Sequence, residues 1–363
     1  MLYLLPYELL VAIVVDCDQK TRKNLSLVSR RLRIPSQCII FKTVYISRDK
    51  FETLVPGFAV EGGGYLPEAI QNDRLLSYIQ TIVISADESS HHLEVNTIGV
   101  IFTALHQMQS LRDIKLVGIP FTTTVLDRLC EVLSTRLYNV ELWGCSYPVD
   151  YTTQQAALKI HRLGLMLDYE WTNVVPPPTT IKALAAIIER SLSSISSLTL
   201  SSGLGLLAYF GTMPRLMSLN ISLRSARNYE GLSKFLVANP QLVEFVLDGA
   251  FYETSRLSLL PPSALPNLRT IRAIPEHIQH LLPGRPVVKV EICQSSKAKI
   301  MMDGLRSLSR SAALITELTL HLHYCFTHLN DILDAVVERV PRLERIWLSF
   351  NAEVRSIQYS GAL

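Results

Sequence analysis

The densest set of side chains able to do chemistry is His321-Leu322-His323-Tyr324-Cys325, with His328 close behind. Imidazole and thiolate are the ligands zinc prefers. On a strand centred at Leu318, side chains alternate between faces. Leu318, Leu320 and Leu322 then point inward, and His321, His323 and Cys325 share the open face. Ligands two residues apart on a strand sit about 7 Å apart, and no fourth ligand is evident. The expectation is therefore polar residues on a solvated strand face, with no metal site.

Other chemical motifs are absent from the sequence. Gly62-Gly63-Gly64 resembles a phosphate loop only in its glycines. No Lys-Ser/Thr follows it, and no strand–turn–helix frame carries a G-x-G-x-x-G. It reads as a flexible connector. There is no G-x-S-x-G and no H-E-x-x-H. The six cysteines (17, 38, 130, 145, 293 and 325) are widely spaced and form no C-x-x-C pair. In a chain this long that pattern implies reduced thiols and an intracellular protein, cytoplasmic or nuclear. The sequence predicts a binding protein with no cofactor, not an enzyme.

Composition narrows the partners. The chain has 363 residues, of which 48% are hydrophobic and 18% charged, which is ample for a core and argues against disorder. A net charge of +3 is too small to imply nucleic acid or an acidic membrane as partner. The apolar start lacks a basic leader region and is interrupted by Pro6 and Glu8, so no signal peptide is expected. No apolar run is long enough to span a bilayer.

The elements that position these residues announce themselves by repetition. From about residue 75 onward an apolar-x-x-apolar-x-apolar motif recurs. Its centres are Ile82, Ile114, Val140, Leu163, Leu198, Leu219, Phe245, Ile271, Val290, Leu318 and Ile346, and Val44 fits the same frame. Pro214-Arg215-Leu216, Pro240-Gln241-Leu242 and Pro266-Asn267-Leu268 follow one another at 26-residue steps, and Pro341-Arg342-Leu343 lies about three periods on. Between motifs run helical periods, as in Ile98-Ile101-Phe102-Leu105-Met108, Val125-Leu126-Leu129-Leu133, Ile181-Leu184-Ile187-Ile188-Leu192 and Leu329-Ile332-Leu333-Val336-Val337-Val340. The prolines end the preceding helices. A period of 20–29 residues with this signature is that of leucine-rich repeats. The predicted fold is α/β, a curved parallel sheet with helices on the convex side, spanning residues 75–363. Trp171-Thr172-Asn173-Val174-Val175-Pro176-Pro177-Pro178 reads as an extended insertion. The proline-rich stretch from Phe251 to Pro286 leaves little room for full helices.

Ahead of the repeats lie three predicted short helices. Pro6 suits a first helical turn and precedes the stripe Leu9, Leu10, Ile13 and Val14. Thr21 can cap a second helix with Leu25, Val28 and Leu32 on one face, and Pro35 can open a third carrying Cys38, Ile39 and Phe41. Three such helices bury little surface and call for a partner. Leu5-Pro6-x-Glu8-Leu9-Leu10-x-x-Ile13, Leu27-Val28-Ser29-Arg30 and Ile40-Phe41-Lys42-Thr43-Val44 resemble an F-box, most closely that of fungal F-box proteins. The resemblance covers residues 1–46, and Leu32 stands where that family usually has an aromatic residue. Residues 47–74 read as a Gly-rich linker and capping segment.

The resemblance implies docking on the Skp-type adaptor of a cullin–RING ligase. The expected contacts are Leu5, Pro6, Leu9, Leu10, Ile13, Leu25, Val28 and Leu32. The chain would be the substrate receptor of an SCF-type ubiquitin ligase. The repeats would bind a target protein through the open strand positions, among them Lys115, Glu141, Trp143, Arg162, Asn220, Arg272, Glu291, His321 and Trp347. Two alternatives stay open. One is a repeat scaffold whose first helices merely cap the array. The other is a metal enzyme at the His321 cluster.

Overall fold

The structure, a computed structural model, describes residues 5–47, 76–86, 101–102, 105–148, 157–166, 178–201, 207, 210–222, 229–248, 260–261, 263–293, 298–322, 328–350 and 357–360. The chain forms two units. One comprises Met1–His161 with Pro177–Arg190, the other Arg162–Pro176 with Ser191–Leu363.

In the first unit, helices α1 (Tyr7–Asp16), α2 (Gln19–Val28) and α3 (Arg30–Ile40) precede strands β1 (Thr43–Ser47), β2 (Thr81–Ser85), β3 (Asp113–Val117) and β4 (Tyr138–Trp143). The strands pair in parallel, in chain order. Helices α4 (Thr123–Thr135) and α5 (Pro178–Ser191) complete it. The second unit carries β5 (Ile160–Met166) from Arg162 on, β6 (Ser197–Ser201), β7 (Ser218–Ser222), α6 (Tyr229–Ala238), β8 (Glu244–Asp248), β9 (Thr270–Ala273) and α7 (Pro275–Leu281). It continues through β10 (Lys289–Ile292), α8 (Ala298–Ser307), β11 (Glu317–His321), α9 (Leu329–Arg339), β12 (Arg345–Ser349) and β13 (Ile357–Ser360). All neighbours from β5 to β12 are parallel, and β13 pairs antiparallel to β12. This is the predicted leucine-rich-repeat type of α/β fold.

The motif centres are one another's ladder partners. Val44, Ile82, Ile114 and Val140 stand side by side in the first unit. Leu163, Leu198, Leu219, Phe245, Ile271, Val290, Leu318 and Ile346 do so in the second. A slip of one residue would turn every strand inside out, so this shared register is what keeps the apolar positions on the buried side. Each buried Leu or Ile adds about 2 kcal/mol, and stacking lets each strand share its core with its neighbours.

The recurring proline has a role beyond ending helices. Met213-Pro214-Arg215-Leu216 closes with Leu216 N–H on the Met213 carbonyl at 3.0 Å. The same bond recurs at Asn239–Leu242 (3.3 Å), Leu265–Leu268 (3.1 Å) and Val340–Leu343 (3.2 Å). Each is a β-turn with proline second, where its fixed φ is already correct. The closing leucines 216, 242, 268 and 343 are all buried. Asn239, itself wholly buried, stitches two repeats together: its Oδ1 accepts from Met213 N at 2.7 Å, and its Nδ2 donates to the Phe235 carbonyl at 2.8 Å.

Several local expectations are corrected. Helix α2 is capped by Asp18, not Thr21, and the Thr21 N–H donates to Asp18 Oδ1 at 2.6 Å. The second helix does not run to Leu32. Ser29 is extended and starts α3, accepting from Leu32 and Arg33 N–H. Leu25, Val28 and Leu32 are thus split between two helices. Pro35 lies inside α3 rather than at its start, buried against its neighbours. Burial there offsets the cost of a proline within a helix. Pro178 opens α5 instead of ending an extended insertion, while residues 171–177 lie outside the described ones. The helix-poor stretch contributes one helix of seven residues, α7. Val337, expected on the buried stripe of α9, is exposed. The Gly62-Gly63-Gly64 connector and Ile98 also lie outside the described residues.

Candidate interaction surfaces

The sequence of α1, Tyr-Glu-Leu-Leu-Val-Ala-Ile-Val-Val-Asp, is apolar nearly all the way round. Such a helix needs cover on more than one side. The chain supplies it on one. Leu10, Val14 and Leu32 form a small buried core, with Leu5, Leu25 and Ile39 packed against it. Arg22 fastens the end of α1 by donating to the Val14 carbonyl from Nε at 2.9 Å and to the Val15 carbonyl from Nη2 at 2.5 Å. Arg31 Nη2 donates to the Leu5 carbonyl at 3.0 Å.

The other side of α1 is bare. Leu9 and Ile13, one turn apart, are 51% and 40% exposed, and Val28 at the end of α2 is 81% exposed. Of the thirteen large apolar side chains exposed among the described residues, eight lie between Tyr7 and Tyr45. The eight residues expected to touch an adaptor therefore divide. Leu9, Ile13 and Val28 are on the surface, and Pro6 is exposed just ahead of α1. Leu5 and Leu25 are half-buried, while Leu10 and Leu32 are core residues that hold the helices together. The last two are corrected from contact to support, because a side chain under 4% exposed has no surface to offer.

The second surface is the open face of the strands. All the residues predicted for it stand there, at the alternate positions of their ladders. In the first unit Lys115 Nζ lies 3.2 Å from Glu141 Oε2 and 3.1 Å above the Trp143 ring. A cation over indole in this way is a favourable contact. Asp113 accepts from Asn139 Nδ2 at 2.6 Å. The same face carries Tyr45, Val83 and Val117, which the sequence reading passed over. Tyr45 pairs with Val83, and Val117 with Trp143. Tyr45 is 62% exposed, and Val83 stands between it and Lys115 in the ladder. The alternation of the strands was enough to place these three outward.

In the second unit, Arg162 and Asn220 lie on β5 and β7. Farther along, the charges are joined. Arg272 Nε is 3.1 Å from Asp248 Oδ1, and its Nη1 is 3.5 Å from Glu291 Oε1. His321 Nε2 lies 2.8 Å from the same Glu291 oxygen. This line crosses β8, β9, β10 and β11. Its hydrogen bond with His321, then the nearby charges of Arg272 and Lys289, hold the Glu291 carboxyl below its ordinary range. A parallel line joins Lys289 to Glu317 at 3.4 Å, and Glu317 to Arg345. Both cations flank the Trp347 ring, Lys289 Nζ at 5.9 Å and Arg345 Cζ at 5.6 Å from its centre. The half-buried Trp347 thus lies between two cations.

Cys293 donates to Asp248 Oδ1 at 3.4 Å, and burial pushes its thiol up to about 12. A thiol at that value is neutral and a poor nucleophile or ligand. Among the described residues no three His, Cys, Asp or Glu side chains are grouped to hold a metal ion. His321 is engaged with Glu291, and His323 and Cys325 lie outside the described residues. No helix among the described residues is long and apolar enough to cross a membrane.

No family model matches the chain, and no curated protein sequence does either. Among solved structures it is similar to the leucine-rich repeat-containing protein LegL7 from Legionella pneumophila, at 12% identity and a TM-score of 0.45, over 87% of this chain and 92% of that one. It is also similar to a chain of the Rad7 and Elc1 complex in yeast, at 13% identity and a TM-score of 0.42, over 94% of this chain and 85% of that one.

Proposed function

We propose that this chain is a substrate receptor of an SCF-type cullin–RING ubiquitin ligase. In this reading α1–α3 are an F-box that seats on the Skp-type adaptor through Leu9, Ile13 and Val28, with Pro6, Leu5 and Leu25 at the margin. The open strand face takes a target protein. The observation that carries the proposal is the bare apolar side of α1, on three helices whose sequence resembles an F-box. Exposed leucine and isoleucine one turn apart are suited to filling a groove on another protein. The receptor itself does no chemistry. It raises the concentration of the target near a catalytic subunit carried by other chains.

Affinity purification under proteasome inhibition, with mass spectrometry, tests this. Adaptor and cullin should co-purify with the wild-type chain and be lost with Leu9→Asp/Ile13→Asp, while target proteins remain. Adaptor recovered equally with both chains would refute the interface. Targets without any adaptor would leave a repeat-protein scaffold.

A further inference from the structure

The pairing of charges on the second unit's open face bears on what that face selects. From β8 to β12 it presents four carboxylates, Glu244, Asp248, Glu291 and Glu317, against three permanent cations, Arg272, Lys289 and Arg345. No cation stands apart. Arg272 has carboxylate oxygens at 3.1 and 3.5 Å, Lys289 has one at 3.4 Å, and Arg345 is bonded to Glu317. Two of the shared carboxylates are well covered, with side chains 22% exposed for Glu291 and 18% for Glu317. They cannot swing away without breaking bonds to two partners each.

A phosphoryl group carries close to two negative charges and is normally bound by cations free to turn toward it. Here it would meet a carboxylate at every cation. A lysine or arginine of a partner meets the opposite situation. Asp248 and Glu291 each use a single oxygen in the contacts above, which leaves a second oxygen on each as an acceptor. Trp347, held among the charges of the second line, supplies flat apolar surface beside them. Trp is over-represented among the residues that dominate binding energy.

We infer that the β8–β12 face recognises an unphosphorylated target segment carrying Lys or Arg, and that phosphorylation of that segment weakens capture. This rests on the reading of the open face as the target-binding surface. It makes the carboxylates the residues that set specificity, through the cations they neutralise.

The test uses the full chain and an array of degenerate peptides, each printed with its serines and threonines free and phosphorylated. The wild type should favour free peptides containing Lys or Arg at least tenfold, and Trp347→Ala should lower that binding. Asp248→Asn/Glu291→Gln/Glu317→Gln releases the three cations without changing side-chain size, and should reverse the preference toward phosphorylated peptides. Should the triple variant lose its fold by circular dichroism, Glu317→Gln alone should shift the preference in the same direction. A wild type that prefers phosphorylated peptides overturns the inference, as does one that binds neither set. Adaptor co-purification is read separately and does not depend on this face, so the two readings can fail independently.

Discussion

Arg285 shows how a single side chain can replace the packing that a short helix lacks. It is 1% exposed, and all its hydrogen bonds go to backbone carbonyls. Nε donates to Ala264, Nη2 to Pro261, and Nη1 to Leu281 at 2.8 Å, with His280 and Pro283 at 3.3 Å. The planar fork thus closes the end of α7 and ties it to the preceding proline-rich turn. Arg285→Met removes the buried donors that serve the Ala264 and Leu281 carbonyls, and should cost about 3 kcal/mol or more in urea unfolding. His277, on the same helix, is fully buried, and burial lowers its pKa to about 4 from 6.5, with His280 adding to the effect. Between those values the unfolded chain holds a proton the folded chain does not. Its contribution is therefore complete above pH 6.5 and is lost as pH falls toward 4, by up to about 3 kcal/mol. Glu276 beside it is shifted upward by burial and acts in the opposite sense. The difference in unfolding free energy between wild type and His277→Asn, followed from pH 7 to pH 4, isolates the histidine. It should shrink steadily over that range, and a constant difference would contradict the assignment.

At the scale of elements, the strands were legible in the sequence and the helix ends were not. Strand centres declared themselves through a fixed period and a buried ladder that tolerates no slip. The helix ends turned on choices that sequence leaves open. Asp18 and Thr21 are both good caps, and Ser29 breaks what reads as one helix. Pro35 sits mid-helix with its ring buried, which no local rule anticipates. The ion pairs were illegible for another reason: Asp248, Arg272, Glu291 and His321 are 19–30 residues apart from one to the next, so only the register reveals them as neighbours. Tyr45, Val83 and Val117 are apolar, yet the same alternation turns them outward. The ends of strands carry their own constraint. Gly118 follows β3 at φ +64°, and its N–H donates to the Trp143 carbonyl at 2.7 Å. A Cβ there would stand 2.6 Å from the Ala86 carbonyl oxygen. Gly118→Ala should therefore cost about 2 kcal/mol or more, from the left-handed backbone and the contact together. Thermal unfolding measures it, and a neutral result would mean that this turn can relax.

Across the whole molecule, two kinds of surface are separated along the chain. Bare apolar side chains gather on the first helices. The β8–β12 face instead carries neutralised charge around one tryptophan, and its ion pairs stay short-range in physiological salt. The first kind suits a standing partner that buries it, the second a partner selected by detail. In the proposed reading the first surface is the adaptor's and the second the target's, so α1 is the decisive element. Calorimetric titration of the purified full chain with a purified Skp-type adaptor tests it most directly. One-to-one binding is expected for the wild type. A loss of at least thirtyfold is expected for Leu9→Asp/Ile13→Asp, or about 2 kcal/mol or more, with the circular dichroism of the repeats unchanged. No heat of binding from the wild type, or equal affinity in the variant, would contradict it.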